Sequence, residues 1–283
     1  MLFRSAAPTQ ALRTDLQARI AQVEGASVAV VYRDLGKSGS AVTLDADRVF
    51  HAASTMKVAV MLEYFRQVDA GELAPAQSQT LTNQFTSIVE GSPFAVDPKD
   101  DEDPSLYERL GQTVPLRELV ERMVTRSSNL ATNTVIARVD AKRVTRTLRA
   151  LGAQRMTVLR GVEDGKAYAK GLNNTTTAGD LARVLTALER GRAASASSTR
   201  AMLDILRAQE LNGEIPAGLP AGTPVAHKTG QISGVLHDAA LVYPPGRAPY
   251  VLVVLTSSIP DETVARSLIV DVSRRVYTHV IAP

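Results

Sequence analysis

Two side chains three residues apart open the chemical reading of this chain. In Ser54-Thr55-Met56-Lys57 a hydroxyl and an amine share one face if the segment is helical. The residues that follow, Val58, Val60, Met61, Leu62 and Phe65, make the predicted helix apolar nearly all round, so it is expected to be buried. A lysine in the first turn of a buried helix needs a reason. Burial disfavours its ammonium form and makes Lys57 a base near neutral pH. The helix N-terminus favours negative charge beside Ser54. The pair is therefore a candidate nucleophile and base, although S-x-x-K arises about once by chance in a chain of this length.

Two further motifs have the same double character. Ser127-Ser128-Asn129 falls where one apolar stripe stops at Val124 and another starts near Ala131, a predicted helix–helix corner. Its hydroxyl and amide could relay a proton and hold a carbonyl; Ser and Asn are also ordinary capping residues. Lys228-Thr229-Gly230 lies on a predicted strand. Gly230 permits close approach of a backbone or ligand, and Lys228 and Thr229 suit an anionic group. A lysine on an edge strand is equally a guard against aggregation.

The three together are more specific than any one. The order S-x-x-K, S-x-N, K-T-G resembles the signature set of class A β-lactamases and penicillin-binding proteins, and each motif falls on the element that family requires. The resemblance covers the chain from about Ala26 to the last helix. It implies that Ser54 attacks an amide carbonyl and forms an acyl-enzyme, and that Lys57 takes its proton directly or through water. It implies Ser127 as the proton carrier to the departing nitrogen and Asn129 as the holder of the substrate's side-chain amide. Lys228, Thr229 and Gly230 would lie by the substrate carboxylate, and the backbone N–H groups of Ser54 and Gln231 would form an oxyanion hole.

The departures from that pattern bear on turnover. Ser128 stands where class A enzymes have an Asp. Their R-x-E-x-x-L-N loop, whose Glu activates the deacylating water, is matched by Arg160 and by Leu172-Asn173, but with different spacing. Counted from Arg160, Glu163 comes one residue late; counted back from Leu172, the position falls on Ala169. Glu163 is the candidate base, with Asp164 beside it. Asn174 replaces the Asp that usually pairs with the loop arginine. The carboxylate-binding arginine of the strand after K-T-G is replaced, by residue count, by Tyr250. Gln231 replaces a small residue and is expected to narrow the cleft.

These motifs must be positioned by ordinary elements. Leu12, Leu16, Ile20 and Val23 predict a helix over 9–24, and Ser27–Tyr32 and Ala41–Leu44 read as strands. Val225–Thr229, Val235–Tyr243 and Tyr250–Thr256 read as strands, followed by a helix over 261–278. Between Ser54 and Ala208 the helical period dominates, with helices over 178–190 and 198–208 among others; the acidic stretch Asp97–Asp103 reads as a solvated loop. The expected fold class is α+β and β-lactamase-like: an antiparallel sheet flanked by the terminal helices, with an inserted all-helical lobe. Residues 1–50 and 210–283 would form the sheet lobe and 51–209 the helical lobe, with the site in the cleft of a single catalytic domain.

The 283 residues are 45% hydrophobic and 22% charged, with net charge +3: an ordinary globular composition, long enough for a sizeable core. Scattered basic residues and 4% aromatics speak against nucleic-acid binding. The absence of cysteine excludes disulfides and thiolate metal sites. Of the histidines 51, 227, 237 and 279, none shows zinc spacing, and His227 and His237 are read as structural. No metal or organic cofactor is needed when nucleophile and base are side chains. No apolar run reaches the roughly 18 residues of a membrane span. Met1–Gln10 lacks a leader's apolar core, so the expectation is cytoplasmic as the sequence stands, periplasmic or secreted if a leader was trimmed. A monomer is expected. The reading is a serine acyl-enzyme hydrolase acting on β-lactam amides. The alternatives are a slowly deacylating penicillin-binding hydrolase (D-Ala-D-Ala peptidase, esterase or amidase) and a non-catalytic penicilloyl-sensing or structural module.

Overall fold

A computed structural model describes residues 6–282. The first half of the stretch read above as lacking a leader core thus lies outside the described residues. The chain opens with helix α1 (Ala6–Ile20) and strands β1 (Ser27–Asp34), β2 (Ala41–Leu44) and β3 (Phe50–His51). A 3-10 turn, Ala53–Met56, leads into α2 (Lys57–Asp69). Short strands β4 (Ser78–Thr80), β5 (Phe85–Thr86), β6 (Pro93–Phe94) and β7 (Thr113–Pro115) follow, then α3 (Leu116–Thr125), α4 (Asn129–Val139), α5 (Ala141–Ala150) and α6 (Gly165–Ala169). The remainder is β8 (Thr175–Thr176), α7 (Ala178–Glu189), α8 (Ala196–Arg207), β9 (Val225–Ile232), β10 (Val235–Val242), β11 (Tyr250–Ser257) and α9 (Glu262–Ile281).

The main sheet runs β2-β1-β11-β10-β9, with every pairing antiparallel. The central strands β1, β10 and β11 are buried along most of their length because both faces are covered. The period of two sends alternate residues to different cores. Val28, Val30, Leu252 and Val254 pack with Leu12, Leu16, Leu268, Ile269 and Val272 of the terminal helices. Ala29, Val31, Val251, Val253 and Leu255 face the other way, into a core shared with Met56, Leu181, Val184 and Leu185. That second core continues through α2, α3 and α4, so helices from the middle of the chain close the sheet's inner face.

The long elements match their sequence expectations to within a few residues, as period-driven burial dictates. The two- and three-residue strands carry no period and were not anticipated. One pair matters for the site: β3 pairs with β8, and Ala52 N–H donates to Asn174 O at 2.9 Å, which ties the approach to Ser54 to the loop ending at residue 174.

The acidic stretch departs from its reading as solvated loop. Asp101 and Asp103 are buried, at 7% and 2% exposure. Two 3-10 turns, Pro98–Asp100 and Pro104–Arg109, fold it against α3 and α4. Asp103 pairs with Arg122 at 2.8 Å. Asp101 accepts from Asn129 N (3.0 Å), Leu130 N (2.8 Å), Tyr107 Oη (2.9 Å) and, more weakly, Ser128 Oγ (3.3 Å). Its carboxylate sits on the N-terminus of α4, where both the free N–H groups and the helix dipole favour negative charge. The carboxylate missing at Ser128 is thus supplied from another part of the chain. Asp101→Ala leaves these donors unmet and is expected to cost about 2–3 kcal/mol. Urea denaturation should show a lower midpoint at unchanged m-value; an unchanged midpoint would remove Asp101 as the anchor of this corner.

Candidate active site

Ser54 lies in the 3-10 turn, just ahead of α2, rather than inside a regular α-helix. Lys57 is the first residue of α2 and is fully buried. Its amine donates to Ser127 O at 2.5 Å, Asn129 Oδ1 at 2.9 Å and Ser127 Oγ at 3.2 Å. The i,i+3 spacing places Lys57 behind Ser54, yet its three hydrogen bonds go to the α3–α4 corner. Among the described residues the Ser54 hydroxyl makes no hydrogen bond.

Lys228, also fully buried, reaches the same corner from β9. It donates to Ser127 Oγ at 3.0 Å and to Thr229 O at 3.1 Å. One hydroxyl therefore faces two lysine amines. Burial lowers the Lys57 pKa well below the ordinary 10.5, and the charge of Lys228 lowers it further. Burial pushes Lys228 down to about 7, against the opposing pull of Asp238 and Glu214. A neutral Lys57 keeps two N–H donors for Ser127 O and Asn129 Oδ1, leaving a lone pair as a proton acceptor.

Gly230 has the close approach expected of it. A Cβ there would lie 3.0 Å from Thr55 N and 3.1 Å from Ser54 N, so β9 can touch the Ser54 turn only without a side chain. Gln231 follows and turns its amide to Glu262 Oε2 at 2.6 Å.

Glu163 comes from the loop after α5. One carboxylate oxygen accepts from Asn129 Nδ2 at 2.6 Å and the other from Asp97 N at 3.2 Å. Burial raises its pKa above the ordinary carboxylate value. The extra residue between Arg160 and Glu163 coincides with a left-handed backbone at Glu163, φ 61°. Ala53 (φ 44°) and Ser127 (φ 61°) are left-handed too, so three strained residues converge on this cleft, each costing about 1 kcal/mol or more. Ala169, the other counted position, is exposed on α6. Asp164 borders the same cavity, but its carboxylate is engaged elsewhere: it caps α6 through Ala167 N and accepts from Ser87 Oγ and Ile88 N. Burial alone would raise its pKa, but those bonds and Arg160 hold it below the usual range.

Arg160 and Asn174 settle the loop in their own way. Arg160 donates to Leu172 O, Asn173 Oδ1 and Gly161 O. Asn174 accepts from Leu159 and Arg160 N–H and donates back to Arg160 O. Amide-to-backbone bonds thus replace an ion pair. Asn133 was missed from sequence. It binds both polar groups of Val162, accepting from N at 2.6 Å and donating to O at 3.0 Å, and so holds the residue before Glu163. Its signal was its place four residues after Asn129, on the same face of α4.

Ser54, Asn129 and Gln231 line two cavities. One, about 380 Å³, also holds Glu163, His51, Arg160 and Tyr168. The other, about 540 Å³, holds Ser127, Thr229 and Arg266. Tyr250 enters neither: it lies buried on β11, packed edge-on against Tyr32 at 5.7 Å. The count that placed it by Lys228 skipped β10; the residue opposite Thr229 is Asp238. The nearest guanidinium on this side of the cleft is Arg266 of α9, which no local spacing could have revealed. His227 and His237 bind within the protein, the former to Asp238 and Asn212, the latter to His51 O. Among the described residues no group of His, Asp and Glu is arranged to hold a metal ion, and no helix is long and apolar enough to cross a membrane.

The family model for the beta-lactamase enzyme family matches residues 11–280. The chain belongs to the beta-lactamase enzyme family. A β-lactamase of Streptomyces albus G is 29% identical over 92% of this chain and 83% of its own length. Among solved structures, PBP-A superposes with a TM-score of 0.81 at 28% identity, covering 95% of both chains. A β-lactamase of Sphaerobacter thermophilus gives 0.81 at 28% identity over 95% of this chain and 99% of that one. A PBP-A variant with TM-score 0.80 and 29% identity, covering 95% and 96%, was captured as an acyl-enzyme with penicillin G. Family and α+β architecture thus agree with the order of the motifs.

The buried amines carry a pH signature. Lys57 with a lowered pKa is neutral at a pH where an exposed lysine is charged, so acylation of Ser54 should rise with pH to a plateau whose midpoint lies well below 10.5. Rapid-quench acylation rates across pH test this. A midpoint at or above 10.5 would show that Lys57 is not the acylating base.

Proposed function

We propose that this chain is a serine β-lactam hydrolase in which Ser54 is the nucleophile and Lys57 its base. The observation that carries the reading is the convergence of two buried amines on one hydroxyl beside Ser54, with a carboxylate held in the same cleft. Lys57 accepts the Ser54 proton, directly after a small rotation or through a water. The Ser54 and Gln231 N–H groups stabilise the oxyanion, for which such donors contribute about 3 kcal/mol each. Ser127, whose hydroxyl lies within hydrogen-bond distance of both lysine amines, passes its own proton to the departing nitrogen and is reprotonated through Lys57. Asn129 holds the acyl side-chain amide. Lys228 and Thr229, with Arg266 beyond them, take the substrate carboxylate.

Glu163 is the proposed deacylation base. It reaches the Lys57 amine through one amide, with Asn129 Oδ1 accepting from Lys57 and Nδ2 donating to Glu163. Each carboxylate oxygen keeps a lone pair for a water between Glu163 and the acyl carbonyl. All of these groups come from one chain, so the proposed chemistry asks nothing of a partner subunit. They come from both proposed lobes, residues 1–50 with 210–283 and residues 51–209.

Glu163→Gln keeps the shape of the side chain and removes its basicity. It is expected to leave acylation by a penicillin near the wild-type rate and to slow deacylation by about 10²-fold or more. Intact-protein mass spectrometry should show a Ser54 adduct that vanishes in the wild type and persists in the variant. If the wild-type adduct persists as well, the chain is a slowly deacylating penicillin-binding hydrolase. Unchanged turnover in the variant would exclude Glu163.

A further inference from the structure

The cavity on the Ser127 side of Ser54 has a charge that the substrate carboxylate does not explain. Asp100, Glu102, Glu210, Glu214 and Glu262 line it with Arg266, and the Lys228 amine lies behind the Ser127 hydroxyl at its inner end. An anionic substrate alone would meet net repulsion there. Arg266 is already committed, donating to Glu214 and Glu262. Glu210 is paired with Arg126 at 2.9 Å. Asp100 and Glu102 are exposed on the rim and form no ion pair among the described residues. Asp100 is held at the cleft because its carbonyl accepts from Asn129 Nδ2 at 3.2 Å.

A second, independent observation comes from the cavity wall. Glu214 is 3% exposed, and its Oε2 has no hydrogen-bond partner. A buried unmet carboxylate oxygen is costly. Asp238 adds to the same region: it stands opposite Thr229, fully buried, and binds His227 Nδ1 at 3.0 Å and Ile215 N at 3.0 Å. Burial and the neighbouring Asp238 raise the Glu214 pKa to about 7, so a cation brought alongside would draw it back to the ionised form.

We propose that this side of the cleft accepts zwitterionic substrates, in which the part of the molecule that leaves Ser54 carries an amine or quaternary ammonium beyond its carboxylate. The carboxylate meets Lys228 and Thr229, and the cation meets Asp100 and Glu102 at the rim of the cavity that Glu214 also lines. This rests on the hydrolase reading above, because Ser127 marks the leaving-group side only if it protonates the departing nitrogen. A cleft lined by one sign of charge raises the local concentration and encounter rate of the opposite charge, and salt removes the advantage.

The test uses the full chain and two cephalosporins with the same acyl side chain, one with a pyridinium on the C3 methylene and one with a neutral acetoxy group there. The quantity read is the ratio of kcat/KM for the cationic over the neutral compound, in the wild type and in the Asp100→Asn, Glu102→Gln double variant. Both residues are exposed, so the variant should fold. The ratio is expected to fall about tenfold in the variant, and to fall likewise for the wild type in about 1 M salt. A ratio that neither change moves, with Ser54 still acylated by the neutral compound, overturns this proposal and leaves the hydrolase reading standing. Failure of both compounds to label Ser54 overturns the hydrolase reading, and this proposal with it.

Discussion

Two lysine amines buried against a single hydroxyl form the constraint on which the rest of this structure depends. An ammonium group taken from water into a protein interior loses several kcal/mol of solvation even after relaxation, and two like charges side by side compound the loss. The fold answers with acceptors: Ser127 contributes its carbonyl and hydroxyl, Asn129 its amide oxygen and Thr229 its carbonyl. These acceptors sit on two separate stretches of chain, and the Lys57 amine comes from a third. They meet only if the α3–α4 corner, the Ser54 turn and β9 are held in register. The left-handed Ser127 and the bare backbone of Gly230 are local consequences of that demand.

The polar groups behind the site share one logic. Asp101 holds the start of α4, Asn133 holds the backbone before Glu163, and Asn174 holds the backbone at Arg160. Each satisfies main-chain groups that would otherwise be buried without a partner. His237 does the same on the other side: its Nδ1 accepts from Thr256 N, which leaves Nε2–H to donate to His51 O, just before Ser54. Burial brings its pKa down to about 4, so the ring is neutral in this role. The shell is made of hydrogen bonds to backbone more than of ion pairs.

The departures from the family pattern make sense in that light. Where Ser128 stands in place of an Asp, Asp101 supplies a carboxylate to the N–H groups that start α4. Losing the Asp at Asn174 leaves Arg160 bound by carbonyls. The extra residue between Arg160 and Glu163 comes with one left-handed backbone unit, at Glu163.

Sequence alone was sufficient for the long elements and the three motifs, because their signals are local and periodic. The apolar runs of β1, β10 and β11 and the stripes of α3 and α9 follow from burying apolar side chains on both faces of a central strand and on one face of a helix. Ser54 and Lys57, like Ser127 and Asn129, are neighbours along the chain. Tertiary structure alone decided that Asp101 and Asp103 are buried, that Asp238 and not Tyr250 faces Thr229, and that Arg266 of the last helix borders the cleft. It also decided that Lys57 gives its hydrogen bonds to Ser127 and Asn129, and that Glu163 and not Ala169 faces Asn129. Those outcomes depend on side chains and backbone groups that lie far apart in the chain and meet through irregular loops. Such meetings are set by which buried donors lack an acceptor, and that demand leaves no period in the sequence to read.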